Sequence, residues 1–253
     1  MKAIRLKSER EFELMRKAGR IVAKLWKELE RQVKPGVTTA ELDKFAENFI
    51  RSNGGEPAFK GYYGFTGTIC ASVNDEVVHG IPGKRVLEDG DIVGIDTGAK
   101  VGGFYSDAAR TYAVGKINSV KRKLIDAARE SLDKGIAEVK AGKHIGDISH
   151  AVQKHVESMG FDVVRQYVGH GIGIELHEEP QVPNFGKAGT GPKIEPGMAL
   201  AIEPMVNAGT HKVFLCEDGW TVRTFDGKPS SHFEDTVLVT SKGTEIVTRE
   251  TDA

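Results

Sequence analysis

Cysteine is scarce: Cys70 and Cys216 are the only two, with no CxxC and no second pair, so a disulfide framework is excluded and reduced thiols are expected. No apolar run approaches the length of a membrane span. The basic start MKAIRLKSER leads into an amphipathic helix and lacks the apolar centre of a signal peptide, so the sequence predicts a cytoplasmic chain with no membrane partner. Excess charge of either sign is missing too. The 35 Lys and Arg against 36 Asp and Glu leave a net charge of −1, which gives no global case for nucleic acid. Nucleotide motifs are also absent, since Gly83-Lys84 completes no Walker loop and Gly169-His170-Gly171 no GxGxxG. HEEP at 177–180 is not a zincin motif, because position 181 is Gln where a second His would stand.

What is present is an ordinary globular composition, 39% hydrophobic and 28% charged over 253 residues, enough for a large core in one domain. Ser8 with Glu11 and Thr38 with Glu41 form capping boxes. Each opens a helical apolar pattern, the first stopped by Pro35-Gly36 and the second by Asn53-Gly54-Gly55. Residues 59–81 read as loops and strands leading to His79. Leu124, Ile125, Ala128, Leu132, Ile136 and Val139 mark a third helix that stops at Ala141-Gly142, and Ile145, Ile148, Val152 and Met159 mark a fourth ending at Gly160.

A repeat runs through this plan. Val33-Lys34-Pro35-Gly36 aligns with Val139-Lys140-Ala141-Gly142 at an offset of 106, which Gly54 and Gly160 share. Glu88 to Asp96 aligns with Glu195 to Glu203 at 107, placing Asp96 on Glu203. Two halves, about 1–116 and 117–253, are therefore expected within one domain spanning 1–253, each half a helix-helix-strand unit incomplete without its partner.

Between the second and third helices, Ile92, Val93 and Ile95 make a short strand ending in Asp96, and a second strand begins around Asp107. A hairpin turning on Val101 and Gly102 would set Asp96 opposite Asp107 at roughly 5 Å. Two carboxylates so placed repel unless one is protonated or a cation lies between them. As solvated turn residues or caps they would need neither. Further ligand types stand at His170, His177, Glu203 and Glu234, each weak alone. A Cys70 and His79 nucleophile is also conceivable, although nothing orients the base.

In order, Asp96, Asp107, His170, Glu203 and Glu234, with His79 and His177 between, resemble the pita-bread metallohydrolases. Within them the chain is most similar to type I methionine aminopeptidases of the short bacterial kind. The likeness extends from the first helix to about Val247 through SVNDEVVHGIP, GDIVGIDTG, SDAA, VGHGIG, HEEPQVPN, IEPMVN and DGWTV. It implies an α/β (α+β) pita-bread fold of two pseudo-symmetric halves around a central antiparallel sheet. It also implies two divalent metal ions (Co, Mn or Fe, with Zn as a further option) held by Asp96, Asp107, His170, Glu203 and Glu234. Four carboxylates at −4 would be balanced by two ions at +4, and oxygen and imidazole donors suit Mn, Fe or Co.

Further implied roles are proton transfer by Glu203, contact of His177 with the substrate carbonyl and of His79 with the amide nitrogen, and a methionine pocket of Phe59, Tyr62, Phe65, Cys70, Leu176 and Trp220. Relatives often carry Cys, Tyr and Phe where Phe59, Phe65 and Leu176 stand, and His where Asp235 stands. The expected activity is removal of the N-terminal methionine from nascent polypeptides with a small second residue. The alternatives are an Xaa-Pro aminopeptidase or prolidase and a non-catalytic pita-bread binding module. A monomer is expected. Eleven Lys and Arg against five Glu in residues 1–34 further suggest a weak ribosome contact through Arg16, Arg20, Lys24 and Lys27.

Overall fold

A computed structural model describes residues 3–250; Met1, Lys2 and 251–253, and with them Lys2 of the basic segment, lie outside the described residues. Helix α1 (Glu9–Gln32) begins at the first capping box, where Ser8 Oγ accepts from Glu11 N and Glu11 accepts from Ser8 N at 2.7 Å. Such a cap contributes about 1 kcal/mol. Helix α2 (Thr39–Ser52) repeats the device with Thr38 and Glu41. Helices α3 (Ser119–Ala137) and α4 (Ile145–Ser158) follow the central hairpin, α3 capped by Asn118 and α4 opened by Asp147 accepting from His144 N at 2.8 Å. Glycines aligned by the repeat share a left-handed backbone: Gly36 and Gly142 have φ 90° and 93°, Gly54 and Gly160 both 81°. A side chain would be strained at each.

All strand pairing is antiparallel among the described residues. In the first half, β1 (Ile69–Val73) flanks β2 (Ile92–Val101), which pairs on its other side with β3 (Phe104–Ala113). In the second half, β4 (Gly169–Gly171), β5 (Glu178–Val182), β6 (Ala199–Ile202), β7 (Asp235–Thr240) and β8 (Gly243–Ile246) form a sheet in the order β8-β7-β6-β4-β5. Each sheet buries one helix pair. Leu25, Leu29, Leu42 and Ile50 of α1 and α2 lie with Val93 and Ile95, while Leu124, Leu132, Ile148 and Val152 of α3 and α4 lie with Leu200, Ile202 and Val237.

The sheets meet at a seam. Ala109 and Glu234 exchange backbone hydrogen bonds of 3.3 and 3.0 Å, and Thr236 Oγ1 accepts from Asp107 N and donates to Asp107 O. The seam carries acids from both halves to one place.

Three expectations need correction. The strand through Asp96 does not end there but continues to Val101, and its hairpin turns on Gly102 and Gly103 rather than on Val101 and Gly102. Gly102 has φ 57° and Gly103 φ 88°, as the tight I′-type turn requires and a β-branched Val101 resists. Asp96 therefore faces Ala109, and Asp107 faces Gly98. The shift is two residues, so both aspartates still share one face, as diagonal neighbours. Finally, Arg16 is not free for a ribosome: it binds Glu9 and Glu13 at 2.6 Å and Glu245 at 2.9 Å. Arg20 and Lys24 remain exposed, and Lys27 lies 3.8 Å from Glu250.

Candidate metal centre

Asp96 comes from the middle of β2, Asp107 from β3, His170 from β4, Glu203 from the residue after β6, and Glu234 from the bridge just before β7. All five line one cavity of about 240 Å³ together with His79, His177, Phe59, Tyr62, Phe65, Cys70, Leu176 and Trp220. One ligand atom from each of Asp107, His170 and Glu234 lies within 4.8 Å of the others. His170 Nε2 stands 3.4 Å from Glu203 Oε1. Gly98, opposite Asp107, leaves the carboxylate room: a Cβ there would approach Asp107 Oδ1 to 3.3 Å and Ala58 Cβ to 2.9 Å.

Asp107 and Glu234 are buried and Asp96 and Glu203 partly so, with little to satisfy them. Asp96 Oδ1, Asp107 Oδ1 and Glu234 Oε1 have no hydrogen-bond partner among the described residues. Orphaned buried oxygens are rare, and several converging on one space form a donor set that suits a cation. Burial, then repulsion from Asp107 and Glu203, holds Asp96 well above the usual carboxylate range. Burial likewise raises Glu203 and Glu234, with Asp107 the first neighbour to add to each. Burial pushes Asp107 up to about 7, against the lowering effect of the neighbouring Asp96 carboxyl and the Ala108 backbone.

The histidines are prepared as neutral rings. Burial, followed by the neighbouring His177, depresses His170 to about 3. Its Nδ1 lies 2.9 Å from Gly171 O; donation there leaves the Nε2 lone pair facing the acids, the arrangement a metal-binding imidazole adopts. His177 packs edge-on to His170 at 4.3 Å and meets the Tyr62 hydroxyl through Nδ1 at 2.8 Å. Burial lowers His177, and burial with His177 lowers His79 to about 4. His79 holds φ 60°, uncommon without glycine, and its ring stands edge-on to Tyr167 at 5.7 Å.

The other pole of the cavity is apolar. Phe59, Phe65, Cys70 and Leu176 are buried, and Phe65 meets Trp220 edge-on at 5.0 Å. Burial, with Asp96 and Asp107 nearby, pushes the Cys70 thiol well up, which removes the thiolate that a Cys-His nucleophile needs.

Sequence reasoning missed two neighbours of the site. Tyr63 lines the cavity mouth, 86% exposed and at φ 46°. His232 is buried, its Nε2 without a hydrogen-bond partner among the described residues and 3.8 Å from Glu203 Oε2. Its position two residues before Glu234 in an extended segment was the available signal. Asp235 does not face the acids: it is fully buried between Arg110 at 2.5 Å and Arg249 at 2.7 Å.

Residues 13–241 match the family model described as Metallopeptidase family M24. Methionine aminopeptidase 1 of Bacillus subtilis is 54% identical over 243 residues, 96% of this chain and 98% of the relative. The methionine aminopeptidase of Clostridium perfringens is 53% identical with the same coverage. Among solved structures, methionine aminopeptidase from Thermotoga maritima matches with a TM-score of 0.96 at 47% identity, over 98% of this chain and 100% of that one. Prolidase from Pyrococcus furiosus shares the fold, with a TM-score of 0.79 at 24% identity over 98% of this chain and 66% of that one.

Proposed function

The chain belongs to metallopeptidase family M24, and from that premise we propose that it removes the N-terminal methionine from proteins whose second residue is small. One observation carries the reading: a single cavity joins a pole of buried acids and imidazole to an apolar, aromatic pole that suits an unbranched thioether.

The acid pole fits a divalent metal, because its unpartnered oxygens and unfavourably buried carboxylates are what a cation would satisfy. Asp96, Asp107, His170, Glu203 and Glu234 would hold it, and their charge suits two ions of the Mn, Fe or Co kind. Bound there, such ions supply Lewis acidity and an activated water at neutral pH. The chain's own residues do the rest. Glu203, whose proton affinity burial raises, takes the proton that the attacking water gives up and returns it to the leaving amine. His177, with Nδ1 accepting from Tyr62, donates through Nε2 to the scissile carbonyl oxygen. His79, neutral and fixed by its backbone, contacts the amide nitrogen. Phe59, Phe65, Cys70, Leu176 and Trp220, with the ring of Tyr62, enclose the methionine side chain.

In this reading the chain acts as one catalytic unit over 1–253, in two related halves, as a cytoplasmic monomer on nascent chains. Exposed Arg20 and Lys24 support a weak ribosome contact, which would lose its salt-sensitive co-sedimentation when both charges are reversed. The activity is tested by stripping the protein, refilling it with Mn, Co, Fe or Zn, and offering Met-Ala-Ser, Leu-Ala-Ser and Ala-Pro-Ser. Efficient release from the first alone is expected; faster cleavage of Ala-Pro-Ser would make the protein an Xaa-Pro enzyme instead.

A further inference from the structure

A buried ion pair ties the start of the chain to the loop that carries His177. Lys7 is only 6% exposed. Its Nζ donates to Glu178 Oε2 at 2.6 Å and to Arg5 O at 2.9 Å, and its backbone N–H donates to Gly197 O at 2.7 Å. The stem crosses Gly173, where a Cβ would lie 2.4 Å from Lys7 Cε and 2.9 Å from Glu178 Oε1, so a side chain there would displace the pair. The other Glu178 oxygen, Oε1, accepts from Ile174 N at 2.8 Å and Glu175 N at 3.1 Å. One carboxylate thus grips the ammonium with one oxygen and the first turn of the 173–177 loop with the other. Gly173 O accepts from Tyr105 N of β3 at 2.9 Å, and Lys7 directly precedes the Ser8 cap of α1. The loop is held between a long helix and the acid-bearing hairpin, and it ends in Leu176 and His177.

A pair this deeply buried is poorly explained by stability. Taking both charges from water costs about as much as their attraction returns, and apolar replacements of like volume are often neutral or better. What the pair provides is a fixed position 171 residues along the chain. We propose that Lys7 is a positioning residue for the reaction: through Glu178 it fixes the 173–177 loop and hence the placing of the His177 ring, a role that rests on the part given to His177 above. Lys7 itself touches neither substrate nor the acids.

The test is a double-mutant cycle on metal-replete enzyme: kcat and KM for Met-Ala-Ser with Lys7→Met, His177→Ala and both together, with bound metal and Tm measured alongside. Lys7→Met is expected to lower kcat roughly ten- to a hundredfold with bound metal unchanged, as a small misplacement of a reacting group does. In the His177→Ala background the same change should cost nothing further, and Lys7→Arg should restore most of the rate. Undiminished kcat in Lys7→Met, or a loss that multiplies in full with that of His177→Ala, overturns the positioning role. Wild-type kcat in His177→Ala overturns the part given to His177 and the role of Lys7 with it, so the two failures are separable. Should Lys7→Met not fold, Glu178→Gln enters the same cycle with the same outcomes, since it keeps an oxygen for the loop while discarding the charge.

Discussion

Tyr62 Oη stands 2.8 Å from Nδ1 of His177. Burial, with Tyr63 nearby, pushes the phenol up to about 12, so it keeps its proton at working pH; donated to Nδ1, that proton would place the ring hydrogen on Nε2. Tyr62→Phe would keep the ring in the cavity wall but release the choice of tautomer. We expect kcat for Met-Ala-Ser to fall roughly tenfold, about 1.4 kcal/mol, with KM little changed. An unchanged kcat would show that the imidazole is oriented without the phenol.

Glu203→Gln retains an oxygen and the volume of the side chain but cannot carry a proton. Turnover should drop by at least about a hundredfold while affinity for a non-hydrolysable methionyl peptide changes little. Metal content is measured in parallel, because Glu203 is also a proposed ligand. Matching turnover at matching metal content would assign the proton transfer elsewhere.

Metal-stripped protein should lose stability as pH rises above about 6.5. Asp96, Glu203 and Glu234 are raised well above their ordinary values and Asp107 to about 7, chiefly by burial. Between about pH 4 and those folded values the native state holds more protons than the unfolded one. The stability these acids contribute is therefore complete below about pH 4 and lost as pH climbs through the folded values. His79 and His170, depressed to about 4 and 3, act oppositely below their ordinary 6.5, where only the unfolded chain takes up protons. Four acids outweigh two histidines over this range, so the Tm of stripped protein should fall as pH rises from about 5 to 8, and added Mn should raise it more at about pH 8 than at about pH 6. A stripped Tm that climbed steadily from about pH 6.5 to 8.5 would argue against a shared buried cluster.

Trp220→Ala removes the ring that faces Phe65 at 5.0 Å. Preference for Met-Ala-Ser over Leu-Ala-Ser in kcat/KM should decline roughly two- to tenfold, the worth of sulfur-aromatic contact, while bound metal is unaffected. The unaltered protein should refuse Met-Lys-Ser, because in the proposed reading a long second side chain would meet the loop that carries His79. Comparable kcat/KM on all three peptides would describe a broad aminopeptidase.

The helices were legible because their signals are local: Ser8 with Glu11, Thr38 with Glu41, and the glycines that end each run lie within a few residues of what they control. The hairpin register was less so. Turns at Val101-Gly102 and Gly102-Gly103 both keep Asp96 and Asp107 on one face, and only the demand for two left-handed residues separates them. The thirteen named site residues could be collected from motifs, yet their convergence depends on sheet pairing that no local pattern specifies. Asp235 shows the limit most plainly, since Arg110, 125 residues away, turns it from the acids it adjoins in sequence. Lys7 read as one more cation on a helix that begins beside it; only its distant partner Glu178 distinguishes it.

The seam between the halves has a kinetic consequence. Arg110 Nη1 donates to Glu234 O across 124 residues, next to the Ala109 bridge, so the acids of the two halves can converge only after a very long loop has closed. Such contacts are entropically the slowest to gain, whereas the capped helices can form from nearby residues alone. During refolding from denaturant, helical ellipticity should therefore return before the capacity to bind Mn, and peptidase activity with the latter; simultaneous recovery of all three would contradict this order. A chain still being synthesised would then be inert toward peptides until its last strands were in place, a proteolytic centre that arrives only with the finished fold.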